Sequence, residues 1–324
     1  MVKIAIIGIG NWGQNLVRNF LKHPAVDKVY CYDVDRKRLA SVQREFPRIE
    51  TVIDFQKILN NSLIDAAVIA TPVSSHFELA QQVLESNKHV LVEKPLTSNE
   101  HEATILINLA RKKRLKLMVD HVSVYHGAIK KIKRIIGSGA VGKIMYLEAT
   151  RTSQGLNQSG INVIWDLAIH DLSILDYLFK ERPKAISAVG MAHFSKLEDI
   201  AHIILFFNRN WLAHLHVNWL SPIKVRRILI GGTKKTVVFD DTKPSEKITI
   251  YDQSYVKSLR PKNKVFYPKY DNAEPLASVT NEFIKAIQQN HEPLTNGANG
   301  LKIIKILTAA EKSMKRRGAI VELN

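Results

Sequence analysis

Apolar and polar positions over the first 120 residues alternate between two periods. Short apolar runs at residues 3–7, 28–32, 64–70, 89–92 and 115–119 read as strands. The run at 64–70 is apolar throughout and partly β-branched, which suits the centre of a parallel sheet. Between these runs, residues 11–22, 36–46 and 99–113 carry apolar side chains at helical spacing. Ser75-His76-Phe77-Glu78 has the form of a capping box for a further helix bearing Leu79, Val83 and Leu84. Strands alternating with helices predict a doubly wound parallel sheet.

The pattern changes after about residue 122. A helix over 128–136 leads through Gly137, Gly139 and Gly142 to a strand at 143–152. Strand-like segments follow at 185–194, 200–207, 211–219, 224–230, 236–239 and 247–251, several joined by short turns such as Asn208-Arg209-Asn210 and Gly231-Gly232. Tight turns between strands mean antiparallel pairing. The expectation is an α/β chain with a parallel-sheet domain over 1–122. A second domain over 123–324 would carry a large, mostly antiparallel open sheet. Residues 254–275 read as a long loop, and helices are expected at 277–289 and 300–315.

Composition narrows the classes. The chain has 324 residues, 45% hydrophobic and 24% charged, near globular norms, so disordered and collagen-like classes are excluded. A single cysteine, Cys31, rules out an intrachain disulfide and a multi-cysteine zinc site. The chain enters an apolar strand at once and has no apolar run of membrane length, so a cytoplasmic protein with no membrane partner is expected. The formal charge of +17 suggests anionic partners. Its clusters at 111–114, 130–134 and 315–317 read as solvated helix faces. No zinc finger, basic zipper or aromatic RNA-binding pattern accompanies them, so nucleic acid is not an expected partner.

Gly8-Ile9-Gly10-Asn11-Trp12-Gly13 lies between the first strand and the first helix. Gly8 suits a tight turn, Gly10 lets a pyrophosphate approach the backbone, and Gly13 lets helix and strand pack closely. The helix N-terminus offers N–H groups and positive dipole to the anion. Asp33, twenty residues after Gly13 and ending the second strand, can accept from ribose hydroxyls. Its charge favours NAD over NADP, although Arg36, Lys37 and Arg38 follow it.

Two more segments carry polar groups. Glu93-Lys94-Pro95 follows a strand, where ligands of open α/β sheets bind. In Trp165-Asp166-Leu167-Ala168-Ile169-His170, Asp166 and His170 are four apart and share a helix face. Such a pair suits acid–base work better than metal binding, since no other ligand set is evident. Taken singly, each segment also reads as ordinary structure: a strand-end turn and a capping or core pair. His214 and His216, alternating on one strand, read as sheet surface or subunit contact, and Trp219 as sheet packing.

Together with Ala70-Thr71-Pro72 and His76, these motifs resemble the Gfo/Idh/MocA oxidoreductase family along nearly the whole chain. The resemblance implies a Rossmann domain followed by an α/β domain whose open sheet supports a homo-oligomer, dimer or tetramer. It implies a catalytic set of Lys94, Asp166 and His170. It also implies an NAD site lined by Gly8, Ile9, Gly10, Asn11, Trp12, Gly13, Asp33, Thr71, Pro72, His76, Glu93 and Lys94. The segments Arg151-Thr152-Ser153-Gln154-Gly155, Asn162-Val163-Ile164-Trp165-Asp166, Glu274-Pro275-Leu276 and Pro293-Leu294-Thr295-Asn296-Gly297 are similar to the branch that oxidises UDP-N-acetylglucosamine, or its uronic acid, at the 3-hydroxyl. Many family members carry a glycine pair before the catalytic Asp, where Ile164-Trp165 stands here. Arg151, Asn162, Trp165 and Asp166 are the expected substrate contacts, with Arg151 at an anion. The other expectations are an inositol or free-sugar dehydrogenase acting on a polyol, and a non-catalytic Rossmann sensor.

Overall fold

The computed structural model describes residues 1–155, 160–208, 211–252 and 264–323. The chain forms two compact units. The first contains residues 1–122 and 274–304, and the second 123–273 and 305–324. Residues 274–304 thus join the first unit, whereas the sequence pattern places all of 123–324 in the second.

The first unit runs β1 (Val2–Ile7), α1 (Asn11–Lys22), β2 (Val26–Tyr32), α2 (Arg36–Glu45), β3 (Glu50–Val52), α3 (Phe55–Asn60), β4 (Ala66–Ile69), α4 (His76–Glu85), β5 (His89–Glu93), α5 (Glu100–Lys113) and β6 (Leu117–Asp120). Short β3 and α3 were not legible in the apolar pattern. The sheet order is β3-β2-β1-β4-β5-β6, with every pairing parallel. Strand order reverses between β1 and β4, the switch point at which such sheets bind ligands. Ile4, Ile6 and Ile7 of β1, Ile69 of β4 and Val90, Leu91 and Val92 of β5 are fully buried. That is expected of strands covered on both faces.

Side-chain caps fix several helix starts. Asp35 accepts from Lys37 N, Asp54 from Gln56 N and Asn99 from Glu102 N. The capping box expected at Ser75 does not form. Ser75 has φ −106° and ψ −5°, already helical, and its hydroxyl donates to Pro72 O at 2.8 Å instead. A short 3₁₀ turn, Val73–Ser75, leads into α4 in its place.

Helix α8 (Pro275–Gln288) and the start of α9 (Gly297–Lys315) complete this unit. Val279, Phe283 and Ile284 of α8 are fully buried. Glu274 accepts two bonds from the Arg18 guanidinium of α1, at 3.0 and 2.6 Å. The segment before α9 runs along the edge of β6, with Thr295 Oγ1 donating to Val119 O at 2.7 Å.

The second unit contains α6 (Gly127–Gly137), β7 (Ile144–Thr152), a π-helical turn (Ile164–Ala168), α7 (Ile169–Leu178), β8 (Ala185–Met191), β9 (Ile200–Phe207), β10 (Trp211–Asn218), β11 (Val225–Gly232), β12 (Lys235–Asp240), β13 (Ile248–Asp252), β14 (Lys264–Phe266), the end of α9 and β15 (Val321–Glu322). Its nine-stranded sheet has the order β14-β13-β12-β11-β7-β10-β9-β8-β15. All pairings are antiparallel except β7 with β10. Strand β14 falls in the 254–275 segment that reads as a loop, of which 254–263 lie outside the described residues. Arg209 and Asn210 of the expected 208–210 turn also lie outside them.

On β9 and β10 the odd-numbered residues are buried, including Ile203, Leu205, Ala213 and Leu215. The even positions face the other way and include His202, His214 and His216. Their rings stack: His202 lies 4.5 Å from His216 and 5.5 Å from His214, centroid to centroid.

Candidate active site

The glycine-rich turn of the first unit separates two kinds of glycine. Gly8 has φ +93°, and a Cβ there would lie 2.7 Å from Ala70 O. A Cβ on Gly13 would lie 2.0 Å from Gly8 O. Both glycines are demanded by the fold itself. Gly10 differs: its φ is −73°, and a Cβ would meet nothing within 4 Å. Packing does not explain glycine there, whereas close approach of a ligand to the backbone does. Gly10 also caps α1 with no side chain, leaving first-turn N–H groups of Asn11 and its neighbours to an anion. The residues present therefore fit a dinucleotide pyrophosphate.

Asp33 closes the turn from β2. Its Oδ2 accepts from Ile9 N at 2.6 Å and its Oδ1 from Asp35 N at 2.8 Å. The carboxylate is buried and keeps further lone pairs for hydroxyl donors. Arg38 Nη1 stands 3.7 Å from Asp33 Oδ2.

The turns after β4 and β5 are joined by His76. Its Nδ1 is 2.8 Å from Pro95 O and its Nε2 2.8 Å from Thr71 O. The ring is 1% exposed, so it ties the Thr71-Pro72 turn to the Glu93-Lys94-Pro95 turn from within. Burial keeps the His76 pKa below the usual histidine value, against the two carbonyls, which favour the charged ring. The Lys94–Pro95 peptide is cis. Lys94 influences Glu93, Asp120 and His121 by charge. His121, fully enclosed, has its pKa lowered to about 3 by burial and then by Lys94.

In the second unit, Asp166 sits on the π-helical turn and His170 on the first turn of α7. Single π turns inside helices are frequent at functional sites. Trp219 Nε1 donates to Asp166 Oδ2 at 3.1 Å. Ser123 Oγ is hydrogen bonded to His170 Nδ1 at 3.3 Å. The sequence pattern points to neither partner, since Trp219 reads there as sheet packing.

The other expected substrate residues of this unit are buried among protein partners. Asn162 Nδ2 donates to Glu198 and Glu311, at 3.0 and 3.1 Å, and Trp165 Nε1 donates to the same Glu311 oxygen at 2.8 Å. These bonds brace the π turn against α9. Arg151 was expected at an anion. Its Nε and Nη2 instead meet Asp171 at 2.9 and 2.7 Å in a buried bidentate pair. Among the described residues no group of three or more His, Cys, Asp or Glu is placed to hold a metal ion. No helix of the described chain is long and apolar enough to cross a membrane.

Residues 2–121 match the profile of the oxidoreductase family with an NAD-binding Rossmann fold, and residues 129–238 match the GFO/IDH/MocA C-terminal domain. The chain belongs to the Gfo/Idh/MocA oxidoreductase family. As a Gfo/Idh/MocA protein it is 29% identical over 236 residues to the UDP-N-acetylglucosamine 3-dehydrogenase of Acidithiobacillus ferrooxidans, covering 71% of each chain. A solved structure of that enzyme superposes with a TM-score of 0.84 at 25% identity, covering 97% of this chain and 98% of that one. The NADP⁺-dependent scyllo-inositol 2-dehydrogenase of Bacillus subtilis is 24% identical, covering 98% of this chain and 97% of its own. Levoglucosan dehydrogenase, solved with NADH and levoglucosan, shares the fold with a TM-score of 0.89 at 19% identity, covering 99% of each chain. This Gfo/Idh/MocA chain is an oxidoreductase with a Rossmann unit and a second unit built on a large open sheet.

Proposed function

We propose that the protein is an NAD-dependent dehydrogenase of a nucleotide-sugar hydroxyl, acting on UDP-N-acetylglucosamine or its uronic acid at C3. The observation that carries the cofactor is Gly10, a glycine whose Cβ space the protein leaves empty. The substrate class is supported by the 29% identity to the Acidithiobacillus enzyme. Gly8 to Gly13 and Asp33 would hold the dinucleotide, with Thr71, Pro72, Glu93 and Lys94 beside it and His76 fixing those turns from behind. A nicotinamide dinucleotide held there would supply a hydride acceptor for the carbinol carbon.

The chain's own residues handle the proton. His170 takes it from the hydroxyl, with the Ser123 bond to Nδ1 orienting the ring. Lys94 donates a hydrogen bond to the same oxygen and stabilises its alkoxide character. Asp166, held by Trp219, orients a sugar hydroxyl. The exposed face of the nine-stranded sheet takes a second copy of the chain, giving a homo-oligomer, and the enzyme works in the cytoplasm.

A second reading, a polyol dehydrogenase using NADP, is supported by the inositol enzyme that covers nearly the whole chain and by Arg38 beside Asp33. The deciding experiment is NADH and NADPH formation with a panel of UDP-sugars, inositols and free sugars. Turnover of UDP-N-acetylglucosamine or its uronic acid with NAD⁺, above the polyols, is expected. Turnover of inositols alone would overturn the nucleotide-sugar assignment.

A further inference from the structure

Glu93 and Asp120 end neighbouring parallel strands, β5 and β6, and are register partners. Their carboxyl groups meet out of solvent. Asp120 is 1% exposed, and its carboxylate acts on Glu93 by charge. Two neighbouring carboxylates out of water do not both ionise readily. Burial lifts both pKa values, and Asp120 lifts Glu93 further, well above the usual carboxylate range.

The oxygens divide into two sets. Glu93 Oε2 accepts from Lys94 N at 3.2 Å, and Asp120 Oδ2 accepts from Trp12 Nε1 at 3.3 Å. Glu93 Oε1 and Asp120 Oδ1 are buried with no hydrogen-bond partner among the described residues. One proton held between them satisfies both atoms at once, because a carboxylic acid donates and a carboxylate accepts.

The surroundings of the pair are defined on each side. The turn after β5 brings the Lys94 cation, and His121, neutral through its lowered pKa of about 3, follows β6. Trp12 comes from α1. Strand β4, the other neighbour of β5, is apolar throughout its Ala66–Ile69 length. The segment beside the far edge of β6 presents Thr295 and Asn296, which do not titrate. Trp12 itself belongs to the glycine-rich turn. Its bond to Asp120 therefore fastens that turn to a strand end 108 residues away.

We propose that Glu93 and Asp120 form a carboxyl dyad holding a single proton, and that Asp120, acting through Trp12, is a positioning residue for the nicotinamide dinucleotide. This rests on reading the first unit as a dinucleotide site. Loss of the shared proton at alkaline pH puts a second negative charge beside a turn that must receive an anionic pyrophosphate. Cofactor binding therefore weakens as pH rises.

The test measures NADH affinity by protein fluorescence from neutral to alkaline pH for the wild type, Asp120→Asn and Asp120→Ala. Asparagine keeps an oxygen for Trp12 and carries no charge, whereas alanine keeps neither. The wild type is expected to weaken about tenfold per pH unit once the proton leaves. D120N should lose this alkaline weakening. D120A should bind about tenfold more weakly already at neutral pH, the loss of roughly one hydrogen bond to a charged group. An unchanged alkaline limb in D120N, a flat wild-type profile, or wild-type binding by D120A overturns the proposal.

Infrared spectroscopy of the protein alone supplies an arm that needs no cofactor. A carboxylic-acid band should be present in the wild type at neutral pH, disappear on alkaline titration, and change in D120N. Its absence from the wild type overturns the dyad. If the band is present and none of the three proteins binds NADH, the cofactor reading fails, and the positioning role with it.

Discussion

The indole N–H of Trp219, just beyond β10, donates to Asp166 Oδ2 at 3.1 Å on the π-helical turn. Trp219 is 3% exposed and so locked in place, which makes it a rigid arm for an acidic side chain assigned to the site. Trp219→Phe preserves the ring and removes the donor. Turnover is expected to fall about tenfold, near the value of one charge-assisted hydrogen bond. Asp166→Asn in the same background should add less than it does alone, because the two residues act as a unit. Fully additive losses in that cycle would show that Trp219 only packs the sheet.

His170→Ala should lower kcat by about 10²–10⁴-fold, the usual range for a general base. NADH binding should remain near normal. Ser123→Ala should leave the base present and misorient it, giving a smaller loss of kcat. Equal losses of binding and turnover in H170A would mark a structural histidine.

Gly10 and Gly13 separate ligand contact from folding. Gly10→Ala has room for its methyl and should leave the melting temperature nearly unchanged while weakening NADH binding about tenfold or more. Gly13→Ala drives a Cβ to 2.0 Å from Gly8 O, so the backbone must shift and stability should fall by about 1–3 kcal/mol. A loss of stability in G10A equal to that in G13A would remove the case for Gly10 as a cofactor contact.

The Arg151–Asp171 pair is enclosed and bidentate. Removing one partner leaves a buried charge, so Asp171→Ala should cost about 3–5 kcal/mol in denaturant unfolding. Arg151→Met, which removes the charge and fills part of the space, should be destabilising without a specific loss of substrate affinity. A change confined to KM for the nucleotide sugar would return Arg151 to the substrate.

Burial holds the pKa values of His76, His89, His126, His202 and His216 below the usual histidine value, and that of His121 at about 3. Between the folded and unfolded values the unfolded chain binds more protons. Their contribution to stability is therefore full above about pH 6.5 and is lost as pH falls below it. The melting temperature should drop on acidification from neutral pH through this window. His202→Gln, which breaks the stack with His214 and His216, should lessen the drop. A melting temperature constant across the window would contradict the lowered values of the buried histidines.

Much of the first unit was legible because its signals are local. The glycine-rich turn, the boundaries of α1 and the strand-end position of Glu93-Lys94-Pro95 follow from backbone sterics and side-chain periodicity within a dozen residues. Seven of the nine strands of the second sheet, β7 to β13, were legible as apolar segments between turns, whereas the short β14 and β15, which bury no core side chain, were not. The failure at Ser75 has the same local character: the pattern of a capping box was present, but the backbone had already turned helical there.

What tertiary structure decided lies at long range. The return of residues 274–304 to the first unit, the parallel pairing of β7 with β10, and the meeting of Glu93 with Asp120 appear in no local pattern. The partners of Asp166 and Trp165 lie 53 and 146 residues away, at Trp219 and Glu311. Periodicity tells which face of an element is buried, and says nothing of which distant side chain is buried against it. The residue types at the candidate site could thus be named from the sequence, whereas the hydrogen bonds that hold and tune them required the folded chain.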